Sequence, residues 1–183
     1  MITLFAFFCI WFLSAQDTFV KDNFTKKEVY VTMRDGVKLF TSIYIPKDIS
    51  AKNKYPILMQ RTCYSVAPYG EDQFKKNLGP NKFLQNEKYI FVYQDVRGRY
   101  MSEGTFTNMT PQVDHKTKKD IDESTDTYDT IDWLVKNIQN NNGNVGQYGT
   151  SYPGFYTAVG VLADHPALKA SSPQAPISDV WYD

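Results

Sequence analysis

Cysteine and histidine are scarce in this 183-residue chain, two of each, and neither acidic nor basic side chains are in excess. Each shortage excludes something. Two cysteines cannot build a disulfide framework. Cys9 falls in a segment that reads as a leader, which leaves Cys63 without a bridging partner, so the chain must hold together by its core. Twenty basic side chains against twenty acidic ones give zero formal net charge with no basic cluster. That removes the electrostatic footprint of a nucleic-acid binder. No apolar run reaches the roughly 18 residues that a membrane-spanning helix needs. No internal repeat or low-complexity tract is present either.

The longest apolar run, residues 2–13, is followed by Ser14, Ala15 and Gln16, after which the chain turns polar. It reads as an export signal with Ala15 as the small residue at the cleavage point, although a positive start is missing and Leu13 is not small. A buried strand or a membrane anchor are the alternatives. On the export reading, residues 1–15 are signal, 16–27 are a polar lead-in, and the protein is secreted or periplasmic with no stable membrane association after cleavage.

The acidic stretch from Asp120 through Asp122, Glu123 and Asp126 to Asp132 fits no calcium loop and lacks the glycine such a loop requires. Carboxylates favour a helix N-terminus, so the stretch is expected to be a solvated helix start.

Hydrophobic patterning supplies the scaffold. Val29, Val31 and Met33 alternate, Arg34-Asp35-Gly36 turns the chain, and Val37, Leu39, Thr41, Ile43 and Ile45 alternate again, which is a β-hairpin. Tyr55-Pro56-Ile57-Leu58-Met59 and Tyr89-Ile90-Phe91-Val92-Tyr93 are continuous apolar runs, as expected of strands covered on both faces of a parallel sheet. Residues 71–87 between them look helical, with a break at Gly79-Pro80. Ile131, Leu134, Val135 and Ile138 fall on one helix face, and residues 140–143 end that helix. A strand over 145–148, a helix over 155–163 and a short strand over 168–171 complete an α/β order with a mostly parallel sheet.

Between that late strand and the helix after it stands Gly149-Thr150-Ser151-Tyr152-Pro153-Gly154. A serine nucleophile must leave its strand on a tight turn among small neighbours. Glycine follows Ser151 by three positions rather than the usual two. Proline is tolerated in a first helical turn because its missing N–H has no partner there anyway. By itself the pattern also fits an ordinary Gly/Ser turn.

The chain further resembles the X-Pro dipeptidyl-peptidase-like α/β-hydrolases, the α-amino-acid ester hydrolase, glutaryl-cephalosporin acylase and cocaine esterase group. The matching segments run in order: Met33-Arg34-Asp35-Gly36-Val37-Lys38-Leu39, Arg61-Thr62-Cys63-Tyr64, Gln94-Asp95-Val96-Arg97-Gly98-Arg99-Tyr100-Met101-Ser102-Glu103-Gly104, residues 126–134, the Ser151 segment, and His165-Pro166-Ala167-Leu168-Lys169 to Trp181. In that family the turn is written Gly-x-Ser-Tyr-x-Gly, so the displaced glycine fits. The resemblance implies an α/β-hydrolase fold with Ser151 as nucleophile. It also implies an oxyanion hole made by the Tyr152 backbone N–H and the Tyr64 hydroxyl, although Tyr64 alone equally suits an aromatic at a strand end. Trp181, Tyr182 and Asp183 lie where relatives begin the wall of the substrate pocket, and Trp181 and Asp183 are the substrate-binding candidates. Asp95 and Arg97 suit an ion pair that shapes a loop better than a catalytic role.

A serine also needs a base, and the fold supplies Ser, then Asp, then His in chain order. Neither histidine fits. A continuous helix would carry His165 about 20 Å from Ser151, and its setting suggests a helix end where it meets the last carbonyls. His115 precedes the nucleophile in a polar loop. The family's aspartate and histidine are expected beyond residue 183, as are a cap and a C-terminal β-sandwich. The chain is thus expected to be the N-terminal part of a catalytic domain over 28–183, inactive by itself and left with an apolar sheet edge. The expected activity is hydrolysis of an ester or amide through a serine acyl-enzyme, with a small-molecule or peptide acyl substrate, no metal and no organic cofactor. A non-catalytic binding module that keeps the turn without its base is the alternative.

Overall fold

The computed structural model describes residues 18–114, 117 and 119–178. The expected signal (1–15), His115, Trp181, Tyr182 and Asp183 lie outside the described residues. Six strands form one sheet: β1 (Phe24–Thr32), β2 (Lys38–Pro46), β3 (Tyr55–Thr62), β4 (Ile90–Asp95), β5 (Asn141–Thr150) and β6 (Leu168–Gln174). The spatial order is β1-β2-β4-β3-β5-β6. The first two strands pair antiparallel, β2 lies antiparallel to β4, and β3 to β6 run parallel. This is the α/β-hydrolase sheet, mostly parallel with an antiparallel N-terminal hairpin, that the patterning and the resemblance implied.

The hairpin turns where Arg34-Asp35-Gly36 predicts, with Met33 N–H donating to the Val37 carbonyl at 2.8 Å. Its first strand starts earlier than the alternation suggested, at Phe24, because Phe24 and Lys26 are buried. A short helix, α1 (Phe19–Asn23), occupies part of the polar lead-in. All six residues of β4 are buried, as a central parallel strand requires.

Alternate side chains divide the core into two layers. Ile57 and Met59 of β3 and Ile90 and Val92 of β4 pack with Ile131 and Leu134 of α3 (Glu123–Asn137) and with Ile138 at its C-cap. Leu58, Phe91, Tyr93 and Tyr148 face the other way and are covered by Val66, Leu78 and Val20. The helix α4 (Tyr152–Gly160) follows β5, and a 3₁₀ turn (Val161–Ala163) follows α4.

The helix expected over 71–87 shrinks to α2 (Lys82–Asn86). Its would-be helical N–H groups have other partners: Lys75 N–H donates to the Tyr44 hydroxyl at 3.1 Å, Leu78 N–H to Gln85 Oε1 at 2.7 Å, and Gly79 N–H to the Tyr93 hydroxyl at 2.7 Å. Those long-range bonds replace the i to i−4 ladder. The expected apolar edge is also corrected. The edge strand β6 reads Leu-Lys-Ala-Ser-Ser-Pro-Gln and is mostly polar and exposed, with a lysine and a proline of the kind that blunt sheet edges.

Candidate active site

Ser151 stands at the carboxyl end of β5, which is where open α/β sheets place their chemistry. It is exposed, and its backbone lies at φ 62°, ψ −124°. A non-glycine residue in that region stores on the order of 1–3 kcal/mol and persists only where its surroundings enforce it. The enforcing contacts are visible. Ser151 N–H donates to the Gln174 carbonyl of β6 at 3.0 Å, and Phe155 N–H returns to the Ser151 carbonyl at 3.0 Å. The turn is tight enough that a Cβ on Gly149 would lie 2.1 Å from the Pro153 carbonyl oxygen, and one on Gly154 would lie 2.6 Å from the Gln174 carbonyl oxygen. Both small residues are there because backbone occupies the space a side chain would need.

Ser151 is the N-cap of α4, yet its side chain makes no capping bond, which leaves the hydroxyl uncommitted to the helix. Tyr152 is the first helical residue, so its N–H has no intrahelical acceptor and adds to the positive end of the helix dipole.

Tyr64 lies two residues past β3, with 60% of its surface exposed. Its ring stands edge-on to that of Tyr152, with centroids 6.2 Å apart at 82°. The structure therefore brings together three of the residues singled out from sequence: Ser151, Tyr152 and Tyr64. The Tyr152 side chain is committed elsewhere. Its hydroxyl donates to Asn108 Oδ1 at 2.5 Å and accepts from Met109 N–H at 2.9 Å, tying the 104–110 loop to the turn. Asn108 carried no signal in the sequence, because a lone asparagine in a loop has no periodicity or motif around it. Beneath the tyrosines, Cys63 and Tyr156 are buried together with Phe155. Burial pushes the Cys63 thiol up, which keeps it protonated and unreactive.

Charge in this region is distributed differently from the sequence expectation. Asp122, Glu123 and Asp126 are buried, not solvated. The helix start itself is as expected: Asp122 caps α3, accepting from Thr125 N–H at 2.8 Å, while Thr125 Oγ1 accepts from Asp122 N–H at 2.9 Å. Glu123 Oε2 lies 3.1 Å from Arg61 Nη1, and Asp126 Oδ1 lies 2.7 Å from Arg97 Nη2. Arg61 also donates to Gln94 Oε1 and to the Thr127 hydroxyl. Two arginines arriving from the ends of β3 and β4 thus meet the carboxylates, a tertiary pairing with no local signature.

The expected Asp95–Arg97 pair is not formed. Arg97 clamps Asp126 and, through Nη1, Asp35 of the hairpin turn at 2.7 Å. Asp95 instead accepts hydrogen bonds from Val66 N–H and the Tyr69 hydroxyl, both at 3.0 Å. Both residues shape loops, but through different partners, because Asp95 is the last residue of β4 whereas Arg97 lies in the turn beyond it, where the two-residue alternation of the strand no longer holds.

His165 is held away from helix carbonyls. Its Nδ1 accepts from Ala167 N–H at 3.1 Å, Nε2 lies 3.8 Å from Asp132 Oδ1, and its ring packs on Tyr128. These contacts engage it on α3, so it offers no base to Ser151.

A cavity of about 370 Å³ is lined by Gln60, Lys75, Tyr93, Tyr148, Thr150 and Gln174 among others. Gln147 faces α4, donating to the Thr157 carbonyl, so its neighbour Tyr148 and with it this cavity face the opposite side of the sheet. Ser151, Tyr152 and Tyr64 do not line it.

Comparison with known proteins identifies the family and the fold. Residues 35–183 match the family X-Pro dipeptidyl-peptidase (S15 family). The cocaine esterase of Rhodococcus sp. (strain MB1 Bresler) is 32% identical over 160 residues, covering 84% of this chain and 25% of the esterase. Among solved structures, an aminopeptidase from a marine sediment Thaumarchaeota archaeon is 41% identical with a TM-score of 0.75, over 86% of this chain and 26% of that one. An α-amino acid ester hydrolase is 38% identical with a TM-score of 0.76, over 92% of this chain and 28% of that one. The chain spans about a quarter of the length of these relatives. It belongs to the X-Pro dipeptidyl-peptidase (S15) family.

Proposed function

We propose that this member of the S15 family carries the nucleophile and the oxyanion hole of a serine hydrolase. The observation that carries the reading is the backbone of Ser151, held at φ 62° on an exposed turn whose flanking glycines leave no room for any side chain. That arrangement has a cost to the fold and presents a hydroxyl, as a nucleophile requires.

In this reading Ser151 Oγ attacks the carbonyl carbon of an ester or amide, its proton passes to a base that hands it to the departing alcohol or amine as the C–O or C–N bond breaks, and the acyl group stays on Oγ until water releases it as the acid. The tetrahedral oxyanion accepts from the Tyr152 N–H at the start of α4 and from the Tyr64 hydroxyl. The base is a histidine other than His115 and His165, which the family resemblance orders after Ser151. The related esterase, ester hydrolase and aminopeptidase favour an amino-acid ester or a short peptide, Xaa-Pro amides included, as substrate. The apolar run at residues 2–13 supports export of the protein, with Trp181 and Asp183 contributing to the substrate pocket.

Labelling by a fluorophosphonate probe, with Ser151→Ala as control, tests the assignment in the active protein that carries this chain. Labelling of the wild type that vanishes in the variant is expected. Undiminished labelling of the variant rejects Ser151, and an unlabelled wild type favours a binding module that keeps the turn without a base. Hydrolysis of aminoacyl esters compared with Xaa-Pro amides then reads substrate preference.

A further inference from the structure

Tyr64 is exposed and belongs to a segment, residues 63–70, that has neither helix nor strand. A hydroxyl that must meet an oxyanion within a few tenths of an ångström cannot be carried by a loose loop. The segment makes three local bonds: Tyr64 N–H to the Thr62 hydroxyl, Ala67 N–H to the Ser65 hydroxyl, and a hydroxyl pair between Ser65 and Tyr69 at 2.9 Å. Its longer-range anchors come from the end of β4, from Lys26 and Glu28 of β1, with Gly70 N–H donating to Glu28 Oε1 at 2.8 Å, and from Lys75, whose Nζ donates to the Ala67 carbonyl at 2.7 Å. Val96 N–H donates to the Thr62 carbonyl at 3.0 Å and Arg99 Nε to the Cys63 carbonyl at 3.1 Å, gripping the residues just before Tyr64. Asp95 grips those just after it. One carboxylate oxygen accepts from Val66 N–H at 3.0 Å, and the other accepts from the Tyr69 hydroxyl at 3.0 Å and Met101 N–H at 3.4 Å. Lys26 closes the far end, donating to the carbonyls of Pro68 and Gly70.

Asp95 stands out among these anchors. It is fully buried, and among the described residues its direct partners are neutral donors. Burial holds its carboxyl above the ordinary carboxylate range. A buried carboxylate without an ion pair is a costly way to stabilise a fold when an apolar side chain of similar volume would serve. What a carboxylate does here that an apolar group cannot is draw two points of one loop, Val66 and Tyr69, onto the end of a central strand.

We propose that Asp95 is a positioning residue that acts through Tyr64, fixing the 63–70 segment so that the Tyr64 hydroxyl is presented to the oxyanion. The proposal rests on the assignment of Ser151 and Tyr64 above. It gives Asp95 no contact with substrate.

A double-mutant cycle in the active protein tests it, using Tyr64→Phe, Asp95→Asn and the two combined, with kcat and KM measured on an aminoacyl ester. Tyr64→Phe is expected to lower kcat by about 10²–10³-fold, as loss of one oxyanion donor does. Asp95→Asn keeps the size of the side chain and one acceptor. It is expected to lower kcat by roughly 10–100-fold through misplacement, with KM within about twofold. The combined variant is expected to fall no further than Tyr64→Phe alone. Losses that multiply overturn the proposal, because Asp95 then acts independently of Tyr64, and they leave the oxyanion assignment intact. Wild-type kcat in Tyr64→Phe removes the oxyanion assignment and the proposal with it, while loss of labelling in Ser151→Ala would still support the nucleophile. Should Asp95→Asn fail to fold, Tyr69→Phe removes one of the two loop bonds to Asp95, together with the Ser65 hydroxyl contact, and enters the same cycle. Wild-type kcat in that variant also overturns the proposal.

Discussion

A methyl group on Gly149 would sit 2.1 Å from the carbonyl oxygen of Pro153, four residues on and across the Ser151 turn. Neither atom belongs to a flexible side chain, so relief requires the turn itself to open. Gly149→Ala is therefore expected to destabilise the protein by about 2–3 kcal/mol, in the range of overpacked sites, and to abolish fluorophosphonate labelling. Gly143→Ala is the contrast: its Cβ meets nothing within 4 Å, and only its φ of +79° is unfavourable. That variant is expected to lose about 1–2 kcal/mol and keep its labelling. Urea melts and labelling on both variants check the pair.

Arg61 is 3% exposed and lies against Glu123 and Asp126, which are also buried. Asp126 keeps Arg97 when Arg61 is removed, but Glu123 is left as an uncompensated charge. Arg61→Met is expected to cost about 3–5 kcal/mol. Adding Glu123→Gln is expected to recover part of that loss, which denaturant unfolding of the single and double variants measures.

The Tyr152 hydroxyl joins the turn to Asn108 and Met109. Tyr152→Phe keeps the ring and removes both bonds, each with a net value of about 1 kcal/mol. Faster amide exchange across residues 106–110 is expected, with little change in the β5 amides. Unchanged exchange in that loop would show that other contacts hold it.

Burial lowers the pKa of His165 below its ordinary 6.5, and this outweighs the opposite pull of Asp132. The unfolded chain then binds more protons than the folded one between 6.5 and the lower folded value. The stability contribution is fully present above 6.5 and is lost as pH falls through that window. Melting temperatures between pH 7.5 and 5 are expected to fall less steeply for His165→Gln than for the wild type; parallel curves would contradict the shift.

Much of the scaffold was legible in local pattern. The hairpin turn at Arg34-Asp35-Gly36, the buried runs of β3 and β4 and the apolar face of α3 all follow from the chain's own periodicity, which backbone geometry imposes. The Ser151 turn was legible for a related reason. A sharp bend between strand and helix demands small residues at fixed offsets, so Gly149 and Gly154 mark it in the sequence itself. The helix expected over 71–87 was misread because its N–H groups bond to Tyr44, Gln85 and Tyr93. No window centred on that segment contains all of those partners.

By itself, then, the chain's order of residues determined the α/β class, the hairpin and the place of Ser151 on a strand-to-helix bend, since each depends on neighbours a few positions apart. Only the tertiary structure decided that the acidic start of α3 is buried against Arg61 and Arg97, that Asp95 grips the Tyr64 loop instead of Arg97, and that Tyr152 holds Asn108. Those contacts join residues from 29 to 65 positions apart in the cases of Asp95 to Val66 and Arg61 to Asp126. Electrostatic and hydrogen-bonding partners at such separations are selected by how sheet and helices stack, and leave no periodic trace along the chain.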